Sequence, residues 1–222
     1  MTRGTARLSW LIAGFIAALT AASWSGAGSG ATFTIHWGPD GTADGFAGRE
    51  ALLFVPLIGV AVAALVALAI RFDPRRDNIV RSARAVGVSV AAILALLAAV
   101  QLAIAASGYG IFVPMDRLAP VAIGALIAVI GSVMPQIRRN YTVGVRLPWT
   151  IESEAAWDAA HRVAGRAWLA TGTATVLVGA VIGGAPAIAV LLLGLVGSLP
   201  GVAFVAYRTW RGDPRRAREG GR

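Results

Sequence analysis

The chain has no cysteine and no lysine, and only 14% of its 222 residues are charged. Without cysteine it has no disulfide, no thiolate metal site and no cysteine nucleophile. Without lysine it has no P-loop. All 20 basic residues are therefore arginine, which together with abundant Ala and Gly reads as a GC-rich coding background rather than a functional choice. A soluble domain carries about 25% charged residues; here long apolar runs account for the deficit, and 57% of the chain is hydrophobic. Those runs lack the alternation of a membrane β-barrel. They hold no acidic residue, histidine or arginine away from their ends, which counts against ion-coupled transport. Neither G-x-S-x-G nor H-E-x-x-H occurs. A nominal dinucleotide fingerprint at Gly26, Gly28 and Ala31 follows an apolar run without βαβ context and is rejected.

What is present is membrane-like. Six apolar spans are predicted at residues 8–28, 51–70, 85–106, 118–134, 167–183 and 186–207. Each is near the ~17–25 residues that cross a ~30 Å hydrocarbon core as a helix, the element that satisfies its own backbone in lipid. The fold class expected is an all-α polytopic helix bundle with six transmembrane helices, a single domain over 1–222. Span one resembles a signal peptide, with Arg3 and Arg7 before it and small residues after it. Its length, and Trp10 and Trp24 near its ends, favour an uncleaved helix.

The arginines set the orientation. All but Arg49 and Arg117 of the 20 fall before span one, between spans two and three, between four and five, or after span six. By the positive-inside rule both termini are cytoplasmic, and the chain is a multi-pass protein of the plasma membrane. The net charge of +9 is thus a matter of membrane lipid; the basic tail, 208–222, rests near anionic headgroups, and no direct nucleic-acid contact is expected.

Two polar clusters stand out. The outer loop, 29–50, contains His36, Trp37, Asp40, Asp44, Arg49 and Glu50. Residues 32–37 alternate and are rich in β-formers, so a short extended segment is expected, followed by a turn at Pro39, Asp40 and Gly41. Imidazole and carboxylates at this spacing are compatible with zinc; the favoured reading is a turn held by Asp40 with Trp37 at the interface, and no metal or cofactor is expected. The inner region, 135–166, is irregular around Gly144 and Pro148. A helix is then predicted, capped by Thr150 or Ser153 and running unbroken into span five, with an Asp158–Arg162 pair and Trp157, His161, Ala164 and Trp168 on one face. The cluster Asn140, Tyr141, Gly144, Arg146, Pro148, Trp149, Thr150, Trp157, His161 and Arg162 reads equally as an interfacial anchor or as a docking surface or gate. Catalysis by His161 lacks a nucleophile or metal partner. Close helix contacts are expected at Gly179/Gly183 and Gly197/Gly201, a kink at Pro200, and Gln101 as an interhelical hydrogen bond.

The pattern Asn140-Tyr141-x-x-Gly144-x-Arg146-x-Pro148-Trp149-Thr150, then Trp157 and His161-Arg162 with Gly165, resembles the cytoplasmic signature of the SdpI family of bacterial membrane proteins. The outer His36-Trp37, Gly41 and Asp44 are similar to the N-terminal region that often accompanies it. Leu147 stands where family members often have Thr. The resemblance implies a non-enzymatic immunity protein that protects the cell from a secreted antimicrobial peptide. It also implies signalling, by drawing a cytoplasmic transcriptional repressor to the membrane. Two other classes compete. A transporter or channel would need a polar path lined by Gln101 and by Thr171, Thr173 and Thr175. A membrane-embedded enzyme would need a metal or a nucleophile–base pair.

Overall fold

The computed structural model describes residues 1–28, 30–38 and 40–214; the expected Pro39 position of the turn and the arginines of the tail beyond 214 lie outside the described residues. The element order is α1 (Arg3–Gly26), β1 (Phe33–Trp37), β2 (Ala43–Ala47), a 3₁₀ turn (Arg49–Leu53), α2 (Phe54–Phe72), α3 (Arg76–Arg81), α4 (Ala83–Gly108), α5 (Met115–Val133), a 3₁₀ turn (Met134–Gln136), α6 (Pro148–Glu152), α7 (Glu154–Val181) and α8 (Gly184–Arg211).

Five helical segments are long and apolar enough to cross a membrane: Arg3–Gly26, Arg49–Phe72, Ala83–Gly108, Met115–Gln136 and Gly184–Arg211. These match five of the six predicted spans. The remaining one, 167–183, falls on α7 up to its end at Val181. That helix has 28 residues, yet it is not among the five. Charged residues fill its first turns, and Thr171, Thr173 and Thr175 dilute the rest.

The helices run alternately up and down. Thr5, near the start of α1, lies against Gly87 near the start of α4, and the Tyr109 hydroxyl lies against Gly26, so α1 and α4 are parallel. Gly131 meets the Gly165 backbone and Gly124 meets that of Gly172, which makes α5 and α7 antiparallel. Trp149, just before α7, stacks edge-on against Tyr207 near the end of α8. One end of the molecule therefore gathers the start of α1, the 71–84 connector, the 137–153 region and the end of α8. The other gathers the hairpin, the 109–117 loop and Gly183. The connector between α2 and α4 contains α3, which the arginine density of the sequence concealed.

The α5–α7 seam is built on glycine at heptad spacing. Gly131 faces Gly165 and Gly124 faces Gly172, while Gly179 continues the α7 repeat against Pro120 and Val121. A Cβ on Gly131 would stand 2.8 Å from the Gly165 carbonyl oxygen, and one on Gly165 2.8 Å from that of Gly131. Removing side chains lets the two backbones touch, which is how helices gain dispersion energy where lipid supplies no hydrophobic drive. The expectation for α8 is corrected: nothing lies within 4 Å of where a Cβ on Gly197 or Gly201 would stand, so this pair faces outward. Of the other pair, Gly179 packs on Pro120 and Val121 of α5, and Gly183 (φ +78°) on Asp116 and Arg117. α8 runs through Pro200 as a single helix.

The hairpin closes the other end. β1 is the expected extended segment; its partner β2, Ala-Asp-Gly-Phe-Ala, has too little β-propensity to announce itself. Phe33 is fully buried with Ile16, Leu52, Val55 and Ile104, and the Thr34 amide donates to Ser107 Oγ at 2.9 Å. Gly41 (φ +82°) allows the turn and lies against Asp116.

Candidate functional site

The inner motif is a loop held over the start of α7. Pro135, in a 3₁₀ turn, ends α5, and residues 137–147 have no regular structure. Backbone groups that leave regular structure need other partners, and the buried polar side chains supply them. Asn140, 1% exposed, uses its whole amide. Its Nδ2 donates to the carbonyls of Arg138 (2.8 Å) and Val143 (3.0 Å), while Oδ1 accepts from the amides of Thr142 (2.8 Å) and Val143 (2.7 Å). Thr150 Oγ1 accepts from the Leu147 amide at 2.9 Å and faces the Val145 carbonyl at 2.8 Å.

His161 is the centre of this arrangement. It is fully buried and stacks on Trp157, with centroids 4.1 Å apart. Its Nδ1 lies 2.8 Å from the Trp157 carbonyl, an acceptor, and its Nε2 lies 3.1 Å from the Val145 amide, a donor. Only the neutral ring with hydrogen on Nδ1 satisfies both. Burial, partly opposed by the bond to the Trp157 carbonyl, pushes its pKa from the ordinary 6.5 down to about 4. Trp157 in turn donates from Nε1 to the Ile137 carbonyl at 2.7 Å. Gly144, at φ +118°, sits over the ring, and a Cβ there would overlap His161 Nε2.

Neighbouring elements pin the loop from the sides. Asp73, after α2, accepts from the Tyr141 amide (2.9 Å) and Thr142 Oγ1 (2.7 Å), and from the Arg75 amide at 2.7 Å. Burial opposes its ionisation, but these donors outweigh it and hold the carboxyl below its usual range. Arg139 donates to the carbonyls of Ile151 (3.2 Å) and Glu152 (2.6 Å). Arg75 lies over the Tyr141 ring, and Arg146 donates to the Tyr141 carbonyl at 2.8 Å. Trp210 Nε1 donates to Glu152 at 2.7 Å, which ties the end of α8 to α6.

The structure thus brings all ten residues of the motif to one end and separates their roles. Asn140, Thr150, Trp157 and His161 are buried; Tyr141, Gly144, Arg146, Pro148 and Arg162 are exposed; Trp149 lies between. Of the two expected caps Ser153 is the one found: its Oγ caps α7 by accepting from the Ala156 amide at 3.1 Å, and the helix runs on unbroken from there. Two expectations are corrected. The helix is not continuous from Thr150, because Ser153 has extended backbone and separates α6 from α7. Asp158 and Arg162 are both exposed and form no ion pair. Asp73 and Arg139 are the positioning residues that sequence reasoning missed. A lone aspartate after an apolar run, close to a Pro, was the available signal for the first.

The outer cluster disperses. His36 Nδ1 meets Asp44 Oδ1. Asp40 instead accepts from the Thr42 amide and hydroxyl, which lower its pKa. Arg49 covers the Trp24 ring, Glu50 accepts from the Gly48 amide, and Trp37 packs on the hairpin core. Among the described residues no three His, Asp or Glu groups converge as metal ligands. The polar path a transporter would need is not assembled either. Gln101 Nε2 is bound to Thr20 Oγ1 (3.0 Å) and the Leu52 carbonyl (3.1 Å). Thr171 and Thr175 are buried, but Thr173 faces outward.

An apolar helical bundle capped at one end by a hydrogen-bonded polar loop is the architecture of a membrane-type protein with one built polar element. Residues 136–207 match the model of the SdpI/YfhL protein family, so the resemblance carried by the inner motif holds over the loop, α6, α7 and most of α8. The match does not extend to the hairpin. No curated protein and no solved structure gives a match.

Proposed function

We propose that the chain is a six-span protein of the bacterial plasma membrane with both termini in the cytoplasm. In this reading it gives resistance to a secreted peptide toxin and signals by receiving a cytoplasmic transcriptional repressor at its loop end. The later part of α7, from about residue 167, is span five: it packs against α5 and α8, and its threonines turn largely inward, so it needs less hydropathy than a lipid-facing helix. The arginine-rich end is cytoplasmic by the positive-inside rule, and the hairpin end meets the toxin.

The observation that supports this most is the division of labour in the inner motif. Its buried members spend their polar atoms holding the loop in shape, and none is left as a free acid, base or nucleophile. Its exposed members, Tyr141, Arg146, Pro148 and Arg162, stand open on the held loop and the early turns of α7. A preformed surface of aromatic and arginine groups suits protein docking. The test is to delete the gene in its native host and challenge the cells with culture supernatant from kin strains. Sensitivity should rise and be restored by the wild-type gene. The R146E/R162E variant should restore resistance yet no longer retain a repressor on co-purification. Unchanged sensitivity under every condition would sink the resistance reading; retention of the same cytoplasmic partner by the variant would sink the docking reading.

A further inference from the structure

An apolar groove of about 310 Å³ runs between α2 and α4, outside the family-matched segment. It extends from Gly59 and Leu97 to Ile79, Val80 and Ala83 at the arginine-rich end. The segment Arg49–Phe72, which contains α2, is the least covered of the five apolar segments. Its groove-facing positions include the small residues Gly59, Ala63 and Ala67, so the space is left by missing side chains. Both walls are apolar throughout, as expected for a hydrocarbon chain and not for a polar solute.

The mouth of the groove has a different character. Arg71 ends α2, Arg76 and Arg81 bound α3, and Arg84 lies in the first turn of α4; all four are exposed. None takes part in an ion pair among the described residues. Asp73 is spent on the motif loop, which leaves Asp77 as the acidic group of this connector. Arg71, Arg81 and Arg84 directly follow the groove-lining Ile70, Val80 and Ala83, and Arg76 lies one turn before Ile79; four arginines against one aspartate at the end of an apolar slot are complementary to one kind of molecule. We propose that the groove binds an anionic phospholipid, its acyl chain along Ala63 and Ala67 and its phosphate among Arg71, Arg76, Arg81 and Arg84. Guanidinium groups bind phosphate in a fork geometry that a choline headgroup offsets with its own positive charge.

The test uses the full-length protein in detergent, stripped of lipid, with phosphatidylglycerol and phosphatidylcholine of matched chains as probes and native mass spectrometry as readout. Phosphatidylglycerol should bind more tightly than phosphatidylcholine. Each arginine contributes about fivefold in affinity at a surface of this kind, so R81Q/R84Q should weaken phosphatidylglycerol by about 25-fold. Ala67→Trp, which fills the groove without touching a charge, should lower retention of both lipids. Leu65→Trp, also exposed on α2 but outside the groove, should not. Equal binding of the two lipids, or undiminished phosphatidylglycerol in Ala67→Trp, overturns the proposal. So does a dimer that Ala67→Trp converts to monomer with lipid retention unchanged, which would assign the groove to a second copy of the chain.

Discussion

His161 shows how a residue that looks catalytic is consumed by structure. Its ring is held neutral between one acceptor and one donor. Protonation at Nε2 would set two N–H groups face to face. The folded pKa, about 4, is below the ordinary 6.5, so the unfolded chain binds more protons between these values. The stability His161 confers is complete above pH 6.5 and declines as pH falls towards 4, by about 3 kcal/mol at most. Thermal unfolding of the detergent-solubilised protein should show this decline, and His161→Ala should flatten it. The same substitution, read at pH 8, leaves a cavity and an unbonded Val145 amide and should cost about 2–4 kcal/mol. Gly144→Ala tests the same contact from the loop side. It meets both a left-handed backbone and the imidazole, and should destabilise by more than the ~1 kcal/mol of an ordinary Gly→Ala strain.

At the scale of elements, glycine spacing decides which helices touch. Gly172→Leu would drive a branched side chain into the Gly124 carbonyl and Ala128 backbone, so the α5–α7 pair should fail to assemble. Gly197→Leu, on the open face of α8, should leave the melting temperature within a degree or two. Comparing yields of monodisperse protein for the two variants checks both outcomes. The helices themselves were legible because sustained apolar runs have few structural solutions. The seam was not: four-residue spacing drew attention to Gly197 and Gly201, whereas the contact follows a seven-residue repeat shared by two helices far apart in sequence. Ser153 was legible as a cap, but so was Thr150; the choice between them rests on bonds the sequence does not show, from Thr150 to Val145 and from Arg139 to the carbonyls of Ile151 and Glu152. Within the motif, sequence spacing showed which residues act together. It did not show that Asp73, more than 60 positions earlier, holds the same loop.

For the whole molecule, charge and contact geometry both support the proposed topology. Every described arginine except Arg49 and Arg117 lies at the end that carries the motif. The chain has no native cysteine, so single cysteines report position cleanly. In intact cells, cysteine at Ala43 in the hairpin should react with an impermeant maleimide, and cysteine at Asp158 should react only after permeabilisation. Reaction of both without permeabilisation would refute the orientation. α7 bears on this scale too. It spans 28 residues, or about 42 Å at 1.5 Å per residue. At its first turns Trp157 and His161 are bonded to the loop; just past its last turn Gly183 rests on Asp116, the residue against which the hairpin turn at Gly41 also lies. The hairpin turn and the motif loop, at opposite ends of the molecule, thus rest on the two ends of one helix.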